Sequence, residues 1–272
     1  MASARTILAL PHALGQVDRL RSRLDGRTPA VFLDYDGVLT PIVDDPAAAT
    51  LPADGRDAVV RAAEHLPVAV ISGRDLEDVR SMVDVAGLAY AGSHGFDMLL
   101  PDGSRERYGE EFLDDLDAVE RGLRDDLDGV GGVRVERKKF AIAVHTRLAP
   151  GDDERERARA AVAAAARARP RLRVTGGKDI EEFRPGIEWD KGRALTRLME
   201  VLDLDTGSHA PIYVGDDITD EDAFAVIADT GMGIVVAGAT DRETGAAFRL
   251  DEPAETAALL DALIALAKEL QR

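Results

Sequence analysis

A short apolar run that ends in two closely spaced aspartates constrains the fold more than any other stretch of this chain. The run occupies residues 30–33, and Asp34, Asp36 and Gly37 follow it. Such a run is typical of a strand that is buried on both faces of a parallel sheet. Because ligands bind beyond the carboxyl ends of such strands, we expect both carboxylates at a ligand site. Asp and Gly also form ordinary turns, so this run alone leaves the two interpretations about equally open.

The same pattern recurs along the chain. Polar, glycine-containing turns follow three further apolar runs, at residues 67–71, 88–91 and 211–214. Ser72 follows the first of these runs, His94 lies in the turn after the second, and Asp216 and Asp217 come just after the third. Helical patterns separate the runs, which predicts an α/β fold with a doubly wound parallel (Rossmann-like) core sheet. The polar turns would then gather along one edge of that sheet.

The pattern changes between residues 104 and 184. This stretch contains a helix, two strands, a second helix and a hairpin, at residues 112–123, 133–148, 153–168 and 172–183. The hairpin turn holds Lys178. Strands that follow one another without a helix between them favour antiparallel pairing. We therefore predict an inserted α+β cap domain at 104–184 and a core formed by residues 1–103 and 185–272.

Helical patterns also flank the core at both ends. Apolar residues at helical spacing over 4–24 predict one imperfect helix or two short ones, because Pro11 and Gly15 interrupt the pattern. A final helix is predicted to begin near Pro253 and to pack its apolar stripe on the sheet.

Composition excludes several classes of protein. The 272 residues include 51 acidic and 34 basic ones, which gives a formal net charge of -17. This charge disfavours binding to nucleic acid or to an anionic membrane. The chain has no cysteine, so disulfides and thiol chemistry are excluded. The N-terminus is too weak for a signal peptide and no stretch reaches membrane-spanning length, so we expect a cytoplasmic protein.

The polar strand ends and one lysine form a constellation suited to phosphoryl transfer. It consists of Asp34 with Asp36, Ser72, Lys191, and Asp216 with Asp217. Converging carboxylates repel one another unless a cation is present, and hard oxygen ligands of this kind select Mg²⁺. A serine and a lysine would supply donors to a phosphoryl group, and a carboxylate can serve as its nucleophile.

Ordinary structural roles compete with this interpretation at two points. Lys191 opens a predicted helix and could be a solvated surface residue. Thr219 and Asp222 are spaced like a capping box, which would explain the acidic run 220–222 without any chemistry. Asp216 and Asp217 precede this cap, so the capping box does not explain them.

These residues are identified by their resemblance to a known family. The stretch Asp34-Tyr35-Asp36-Gly37-Val38-Leu39-Thr40 resembles the first motif of the haloacid dehalogenase superfamily, and Ser72, Lys191 and Gly215-Asp216-Asp217 resemble the other three. More narrowly, the chain resembles trehalose-6-phosphate phosphatases. The matching stretches are Ser72-Gly73-Arg74, Gly92-Ser93-His94-Gly95, Val135-Glu136 with Lys138, His145-Thr146-Arg147, Glu182-Phe183-Arg184-Pro185, Trp189-Asp190-Lys191-Gly192 and residues 215–222.

The resemblance implies a mechanism. Asp34 attacks phosphorus and forms an aspartyl-phosphate, while Asp36 protonates the leaving sugar oxygen and then activates water. Ser72 and Lys191 stabilise the transferring oxygens. Mg²⁺ is bound by the Asp34 side chain, the Asp36 carbonyl oxygen and Asp216, with Asp217 or Asp220 in support.

The resemblance also implies how the sugar is recognised. A neutral disaccharide offers only hydroxyl groups, so selectivity requires polar side chains that the wrong ligand would leave unpaired. The residues assigned to substrate binding are Gly73, Arg74, His94, Glu136, Lys138, Arg147, Glu182 and Arg184. The competing interpretation is that Glu136 and Lys138 form a solvated ion pair on a strand.

The implied activity is hydrolysis of trehalose 6-phosphate, the last step of trehalose biosynthesis, by a monomer without nucleic-acid or membrane partners. The alternatives are a phosphatase for sucrose phosphate or a glycosyl phosphoglycerate, a phosphomutase, and an inactive sugar-phosphate sensor. A sensor should have lost one of the catalytic carboxylates or the lysine. All of them are present.

Overall fold

The computed structural model describes residues 5–43, 48–177, 179–238 and 240–270, so Lys178 lies outside the described residues. Within them the strands are β1 (Arg5–Thr6), β2 (Thr28–Leu33), β3 (Val68–Ile71), β4 (Ala89–Gly92), β5 (Asp97–Leu99), β6 (Arg105–Arg107), β7 (Arg134–Lys138), β8 (Ala141–His145), β9 (Leu172–Gly177), β10 (Ile180–Pro185), β11 (His209–Gly215), β12 (Met232–Val236), β13 (Glu243–Thr244) and β14 (Phe248–Leu250). The α-helices are α1 (Val17–Leu24), α2 (Ala53–Ala63), α3 (Leu76–Val83), α4 (Leu113–Asp126), α5 (Asp152–Ala168), α6 (Lys191–Val201), α7 (Glu221–Val226) and α8 (Glu255–Leu270). None of the described helices has the length and apolar character needed to cross a bilayer.

The chain forms two compact units, residues 1–106 with 189–272 and residues 107–188. The first unit contains an eight-stranded sheet in the order β14-β12-β11-β2-β3-β4-β5-β6. The six strands from β14 to β4 are parallel to their neighbours, and β5 pairs antiparallel with β4. The predicted α/β fold with a doubly wound core sheet is confirmed.

Strand β2 lies in the middle of this sheet because the chain adds strands on both of its sides. It pairs with β3 on one side and with β11 on the other. Val31 and Leu33 pack in a core with α1, α2 and α8, while Phe32, on the opposite face, is also buried. The strand is therefore covered on both faces, as its uniform apolar run predicts. The junction of β2 and β11 is the point where strand order reverses, which is where open α/β sheets place ligands.

The amino-terminal segment differs from the predicted helix. Residues 5–6 form β1 and pair with β13, two short 3-10 turns follow, and α1 begins only at Val17. Pro11 lacks a backbone N–H and stops helical hydrogen bonding. Its carbonyl instead accepts a hydrogen bond from the Arg249 N–H at 3.0 Å, which ties this segment to β14.

The second unit is a four-stranded antiparallel sheet with two helices. Its strand order is β7-β8-β10-β9. Leu116, Val119 and Leu123 recur at helical spacing on α4 and are buried with residues of α5 and of the sheet. Alternation along the strands places Ile142 and Phe183 in this core. The opposite face of the sheet carries polar side chains around the small residue Ala143.

Candidate active site

The carboxyl ends of β2 and β11 bring Asp34 and Asp216 together, although 182 positions separate them in the chain. The register pairs Leu33 with Val214, and the Asp34 N–H continues the ladder by donating to the Val214 carbonyl at 2.9 Å. The backbone of Gly37 lies close to the Asp216 side chain. Gly37 has a φ of 73°, and a Cβ at this position would lie 2.2 Å from Asp216 Oδ2. Glycine is therefore required both for this backbone conformation and for the space that the Asp216 carboxylate occupies.

Three buried or half-buried carboxylates and one lysine form the centre of the site. Oxygens of Asp34, Asp216 and Asp220 all lie within 4.8 Å of one another, which is suitable for a metal ion. Lys191 Nζ donates to Asp34 Oδ2 at 2.5 Å and to Asp220 Oδ1 at 2.6 Å. The lysine side chain is only 2% exposed, so it is not a solvated surface residue.

Burial and mutual repulsion disfavour the charged carboxylates. Burial, together with the charge of Asp220, raises the pKa of Asp34 to about 7 despite the opposing effect of Lys191. Burial and the charges of Asp34 and Asp220 raise the pKa of Asp216 to about 8. Burial lowers the pKa of Lys191, but its ion pairs with Asp220 and Asp34 outweigh burial and raise the pKa above its ordinary value. A divalent cation would relieve the repulsion.

Asp220 holds the site together through its hydrogen bonds. Its Oδ1 accepts from Lys191 Nζ and from the Tyr213 hydroxyl at 2.7 Å, and its Oδ2 accepts from the Asp216 and Asp217 N–H groups, both at 2.9 Å. A carboxylate has about four acceptor positions, and these four donors use them. Asp220 therefore positions the lysine and the loop, and Asp34 and Asp216 are the carboxylates with capacity for a cation. Tyr213, which lies inside an apolar strand, is a residue that sequence reasoning missed.

Asp217 is exposed and lies outside the carboxylate group. Its side chain accepts from the Ile218 N–H at 2.6 Å and forms a capping box with Asp220 on the 3-10 turn Ile218–Asp220. The prediction that Thr219 and Asp222 form the capping box is therefore wrong. Because Lys191 and Tyr213 hold Asp220 inside the protein, the turn begins earlier, and Asp217 is the residue placed to cap it.

Ser72 lies at the carboxyl end of β3, next to β2. Its side chain is fully buried, and its N–H donates to the Ala91 carbonyl at 2.8 Å. The hydroxyl oxygen accepts from the Arg74 N–H at 3.2 Å. Leu33 and Val70 are paired in the sheet, so Ser72 and Asp34 follow neighbouring strands at the same edge.

Arg74 contacts Asp36, the other aspartate of the first motif. Its Nε donates to Asp36 Oδ2 at 2.7 Å and its Nη2 donates to Oδ1 at 2.6 Å. This is a two-pronged ion pair between the turns that follow β2 and β3. The sequence predicts that Arg74 binds substrate, and that role stays a prediction.

The turn after β4 places His94 against the turn after β3. A Cβ on Gly73 would lie 2.9 Å from the His94 ring, so glycine leaves room for the imidazole. Ser93 and His94 have φ values of 50° and 56°, a region that residues other than glycine seldom adopt. The Ser93 hydroxyl donates to Asp75 at 2.7 Å, and the His94 N–H donates to the Ser72 carbonyl at 2.8 Å. These bonds maintain the unusual turn beside Gly73.

The second unit groups the predicted sugar-reading residues on the polar face of its sheet. Lys138 Nζ donates to Glu182 Oε1 at 3.2 Å, and Arg184 Nε donates to Glu182 Oε2 at 2.5 Å. Glu182 is only 6% exposed. Burial alone would raise the pKa of Glu182, but Lys138 and Arg184 outweigh it and lower that pKa. The hydrogen-bond partner of Lys138 is therefore the buried Glu182, while its charge also acts on Glu136, which is half-buried.

Glu136 pairs with a residue that the sequence did not single out. Its Oε2 lies 2.7 Å from His145 Nε2, and this hydrogen bond lowers the pKa of Glu136. The two residues are on neighbouring strands, where Glu136 is paired with Ala143 and His145 with Arg134. Only the strand register shows this contact, although His145 stands in a stretch that resembles the family. Arg147 is exposed in the turn after β8.

A family model and a similar protein both indicate the trehalose-phosphatase family. A family model described as trehalose-phosphatase matches residues 32–254. A trehalose-phosphate phosphatase of Mycolicibacterium paratuberculosis is 44% identical over 276 residues, which cover 98% of this chain and 69% of that protein. An uncharacterised glycosyl hydrolase of Mycobacterium tuberculosis is 45% identical over 254 residues, or 91% of this chain. The chain spans only 19% of the length of that relative.

A solved structure shows the same fold. The C-terminal domain of a trehalose-6-phosphate phosphatase from C. albicans superposes with a TM-score of 0.75 at 24% sequence identity. The match covers 96% of this chain and 99% of the other. At this identity the likeness supports the fold alone.

Proposed function

This chain belongs to the trehalose-phosphatase family, and we propose that it is a Mg²⁺-dependent phosphatase that hydrolyses trehalose 6-phosphate to trehalose and inorganic phosphate. The observation that carries the proposal is the contact of Lys191 with Asp34, in a group of carboxylates that includes Asp216. This combination would supply a nucleophile, a phosphate-binding cation and ligands for a metal ion at one edge of the sheet. We propose in addition that the protein is cytoplasmic and monomeric.

The donor set fits Mg²⁺. Asp34 and Asp216 offer carboxylate oxygens, and their raised pKa values reflect a repulsion that a cation would offset. We assign the ion to these two side chains and to the Asp36 carbonyl, with Asp220 in support through its hold on the loop. Bound Mg²⁺ would supply positive charge between the anionic nucleophile and the anionic phosphate.

The protein's own groups would act in two steps. In the first, Asp34 attacks phosphorus, the bond from phosphorus to the sugar oxygen breaks, and Asp36 gives that oxygen a proton. In the second, water attacks the aspartyl-phosphate, Asp36 takes a proton from the water, and the Asp34 carboxylate leaves. Lys191 and the Ser72 hydroxyl would stabilise the transferring oxygens in both steps.

The second unit is the proposed cap domain that selects the sugar. Glu136, Lys138 and Glu182 lie on its polar face, and the pairs with His145 and Arg184 fix their charges there. Hydroxyl groups of the correct sugar would replace or complete these hydrogen bonds, whereas an aryl phosphate would make none of them. Arg147 and His94 are proposed as further substrate contacts.

The function is tested by phosphate release from a panel of substrates with and without Mg²⁺. We expect rapid release from trehalose 6-phosphate and slow release from glucose 6-phosphate, sucrose phosphate and glycosyl phosphoglycerates. A preference for one of the other sugars would identify a sibling phosphatase. Isomerisation without phosphate release would identify a phosphomutase, and no reaction with any substrate would identify a sensor.

Variants test the assigned roles. General acid–base catalysis contributes about 10²–10⁴ in rate, so Asp36→Asn should lose at least about 10² in kcat on trehalose 6-phosphate. Normal turnover by this variant would remove the assignment. Glu136→Gln should lower kcat/KM for trehalose 6-phosphate but not for an aryl phosphate. The matched control is Glu181→Gln, since alternation places Glu181 on the opposite side of the sheet. Equal losses on both substrates would argue against sugar recognition by Glu136.

A further inference from the structure

Two side chains hold the backbone of Asp216 and Asp217. The N–H groups of these two residues donate to Asp220 Oδ2, both at 2.9 Å. Their carbonyl oxygens accept from a single nitrogen, Arg242 Nη2, at 3.2 Å for Asp216 and 2.8 Å for Asp217. Asp220 and Arg242 therefore bind all four backbone polar groups of the pair of residues that carries the Asp216 carboxylate.

The guanidinium of Arg242 is fixed by Glu221, the residue that follows Asp220. Arg242 Nη1 donates to Glu221 Oε1, and Glu221 Oε2 accepts from the Gly245 N–H at 2.7 Å. The side chains of this ion pair are only 21% and 25% exposed. Hydrogen bonds between charged groups are strong, and partial burial reduces their screening by water. Asp220 thus fixes the loop through its N–H groups, and Glu221 fixes it through Arg242 and the carbonyls.

The amino-terminal segment supports the backbone that carries Arg242. The Ile7 N–H donates to the Arg242 carbonyl at 3.0 Å, and the Leu8 N–H donates to Asp241 Oδ1 at 3.0 Å. Strand β1 comes just before these residues and pairs with β13, which begins directly after Arg242. The Ile7 side chain is only 2% exposed, so the segment is anchored in the core. Arg242 is therefore held both at its backbone and at its guanidinium.

This arrangement bears on the proposed cation site because Asp216 is one of its ligands. The guanidinium donates to the Asp216 carbonyl, so this bond does not use the carboxylate oxygens that would bind a cation. Residues that orient a metal ligand contribute to affinity without touching the ion, and replacing one typically costs 10–100-fold in metal affinity. A fixed backbone at Asp216 would hold its carboxylate in place before the ion arrives.

We propose that Arg242 is a positioning residue for the divalent-cation site, which fixes the backbone of Asp216 and thereby raises the affinity of the site for Mg²⁺. The inference rests on the proposed function, since the ion belongs to the proposed mechanism. The charge of Arg242 has the opposite effect, because a guanidinium near the site repels a cation. The direction in which affinity changes when Arg242 is removed therefore separates positioning from charge.

The test measures Mn²⁺ binding to the metal-free protein without substrate, through the electron paramagnetic resonance signal of free Mn²⁺. Arg242→Gln removes the guanidinium, and its Kd for Mn²⁺ should rise at least about tenfold. Arg242→Lys keeps the charge but has one nitrogen in place of two, so its Kd should lie between those of wild type and Arg242→Gln. Glu221→Gln removes the ion pair that fixes Arg242 and should also weaken Mn²⁺ binding.

The matched control is Arg27→Gln. Arg27 also donates to loop carbonyls, those of Thr206 at 3.2 Å and Thr230 at 2.6 Å. These two loops precede the parallel strands β11 and β12, so they lie at the opposite edge of the sheet from Asp216. Arg27→Gln should lower the melting temperature and leave the Kd for Mn²⁺ unchanged. An equal rise in Kd for both variants would show that lost stability alone weakens binding, and it would overturn the inference.

An unchanged or lower Kd for Arg242→Gln would also overturn the inference, because charge would then outweigh positioning. If Arg242→Gln fails to fold, as judged by its melting curve, Arg242→Lys decides: a Kd above that of wild type supports the inference, and an equal Kd overturns it. Wild type that binds no Mn²⁺ would overturn both the inference and the proposed Mg²⁺ site. Wild type that binds Mn²⁺ but releases no phosphate from any sugar phosphate would contradict the proposed function alone, because the comparison of Kd values needs no substrate.

Discussion

Replacing Asp216 by asparagine should stabilise the metal-free protein, although it removes a residue of the active site. The pKa of Asp216 is raised from 3.8 to about 8, so at pH 7 the folded protein must bind a proton there that the unfolded chain does not carry. The cost is ~1.4 kcal/mol per pKa unit over the three or so units between 3.8 and pH 7, or roughly 4 kcal/mol at most. Coupling to Asp34 and partial solvent access reduce this, and we expect a gain of about 1–3 kcal/mol.

The sign of the pH dependence follows from the raised pKa. Because the pKa of Asp216 is higher in the folded protein than in the unfolded chain, the free energy of unfolding falls as the pH rises. The fall extends from the unfolded-state pKa of 3.8 to the folded-state pKa of about 8. The advantage of Asp216→Asn should therefore be absent near pH 4 and grow toward pH 8. Asp217→Asn is the matched control, because it removes the same charge from an exposed neighbouring position.

Urea denaturation in EDTA, followed by the fluorescence of the single tryptophan, Trp189, measures these differences. Repeating the urea denaturation in Mg²⁺ tests whether Asp216 binds the ion. An ion at about 100 times its Kd stabilises a protein by about 2.7 kcal/mol, and we expect that gain in wild type but not in Asp216→Asn. The reasoning is refuted if Asp216→Asn in EDTA is less stable than wild type at pH 8, or if Mg²⁺ stabilises both proteins equally.

The remaining predictions concern residues that support the site or the core. Tyr213→Phe removes one of the four donors to Asp220 and should cost about 1–3 kcal/mol in urea denaturation, whereas no change would show that the bond is dispensable. Gly37→Ala places a side chain 2.2 Å from Asp216 at a φ of 73°. The backbone strain alone should cost about 1–2 kcal/mol, and the Mg²⁺ concentration needed for half-maximal activity should rise. An unaltered Mg²⁺ requirement would contradict the close approach. Phe183→Ala empties part of the core of the second unit and should cost about 3–5 kcal/mol, with kcat for an aryl phosphate retained at temperatures where the variant is folded. A loss below 1 kcal/mol would contradict the packing.

The polar residues at the carboxyl ends of the core strands could be predicted from sequence, because a short apolar run marks each strand and the residues that follow it mark its end. Apolar runs such as 30–33 and 211–214 have no polar face, so they must lie in a sheet covered on both sides. In such a sheet their carboxyl ends share an edge, and Asp34 and Asp216 converge without any knowledge of the connecting loops. The amino-terminal segment shows the limit of this reasoning, since its apolar spacing is helical but the Pro11 carbonyl bonds to β14 instead.

The pairings between side chains could not be predicted, because they depend on register and on turns. Arg74 meets Asp36 only because two turns at adjacent strand ends face each other, and no spacing in the sequence encodes that. Tyr213 is indistinguishable from its apolar neighbours in β11 until the buried Asp220 is placed beside its hydroxyl. His145 acquires its role from its neighbouring strand, which carries Glu136. Tyr213 is thus a residue that the motifs leave out, whereas Arg74 and His145 stand in motif stretches and gain partners that the motifs do not indicate.

The central claim is that Asp34 and Asp216 share one divalent ion, and anomalous diffraction from crystals grown with Mn²⁺ in place of Mg²⁺ tests it most directly. The account predicts a single strong peak at about 2.0–2.3 Å from an oxygen of each carboxylate, lost in crystals of Asp216→Asn. A peak bound elsewhere, or no peak between these two side chains in an enzyme that turns over with Mn²⁺, would contradict it.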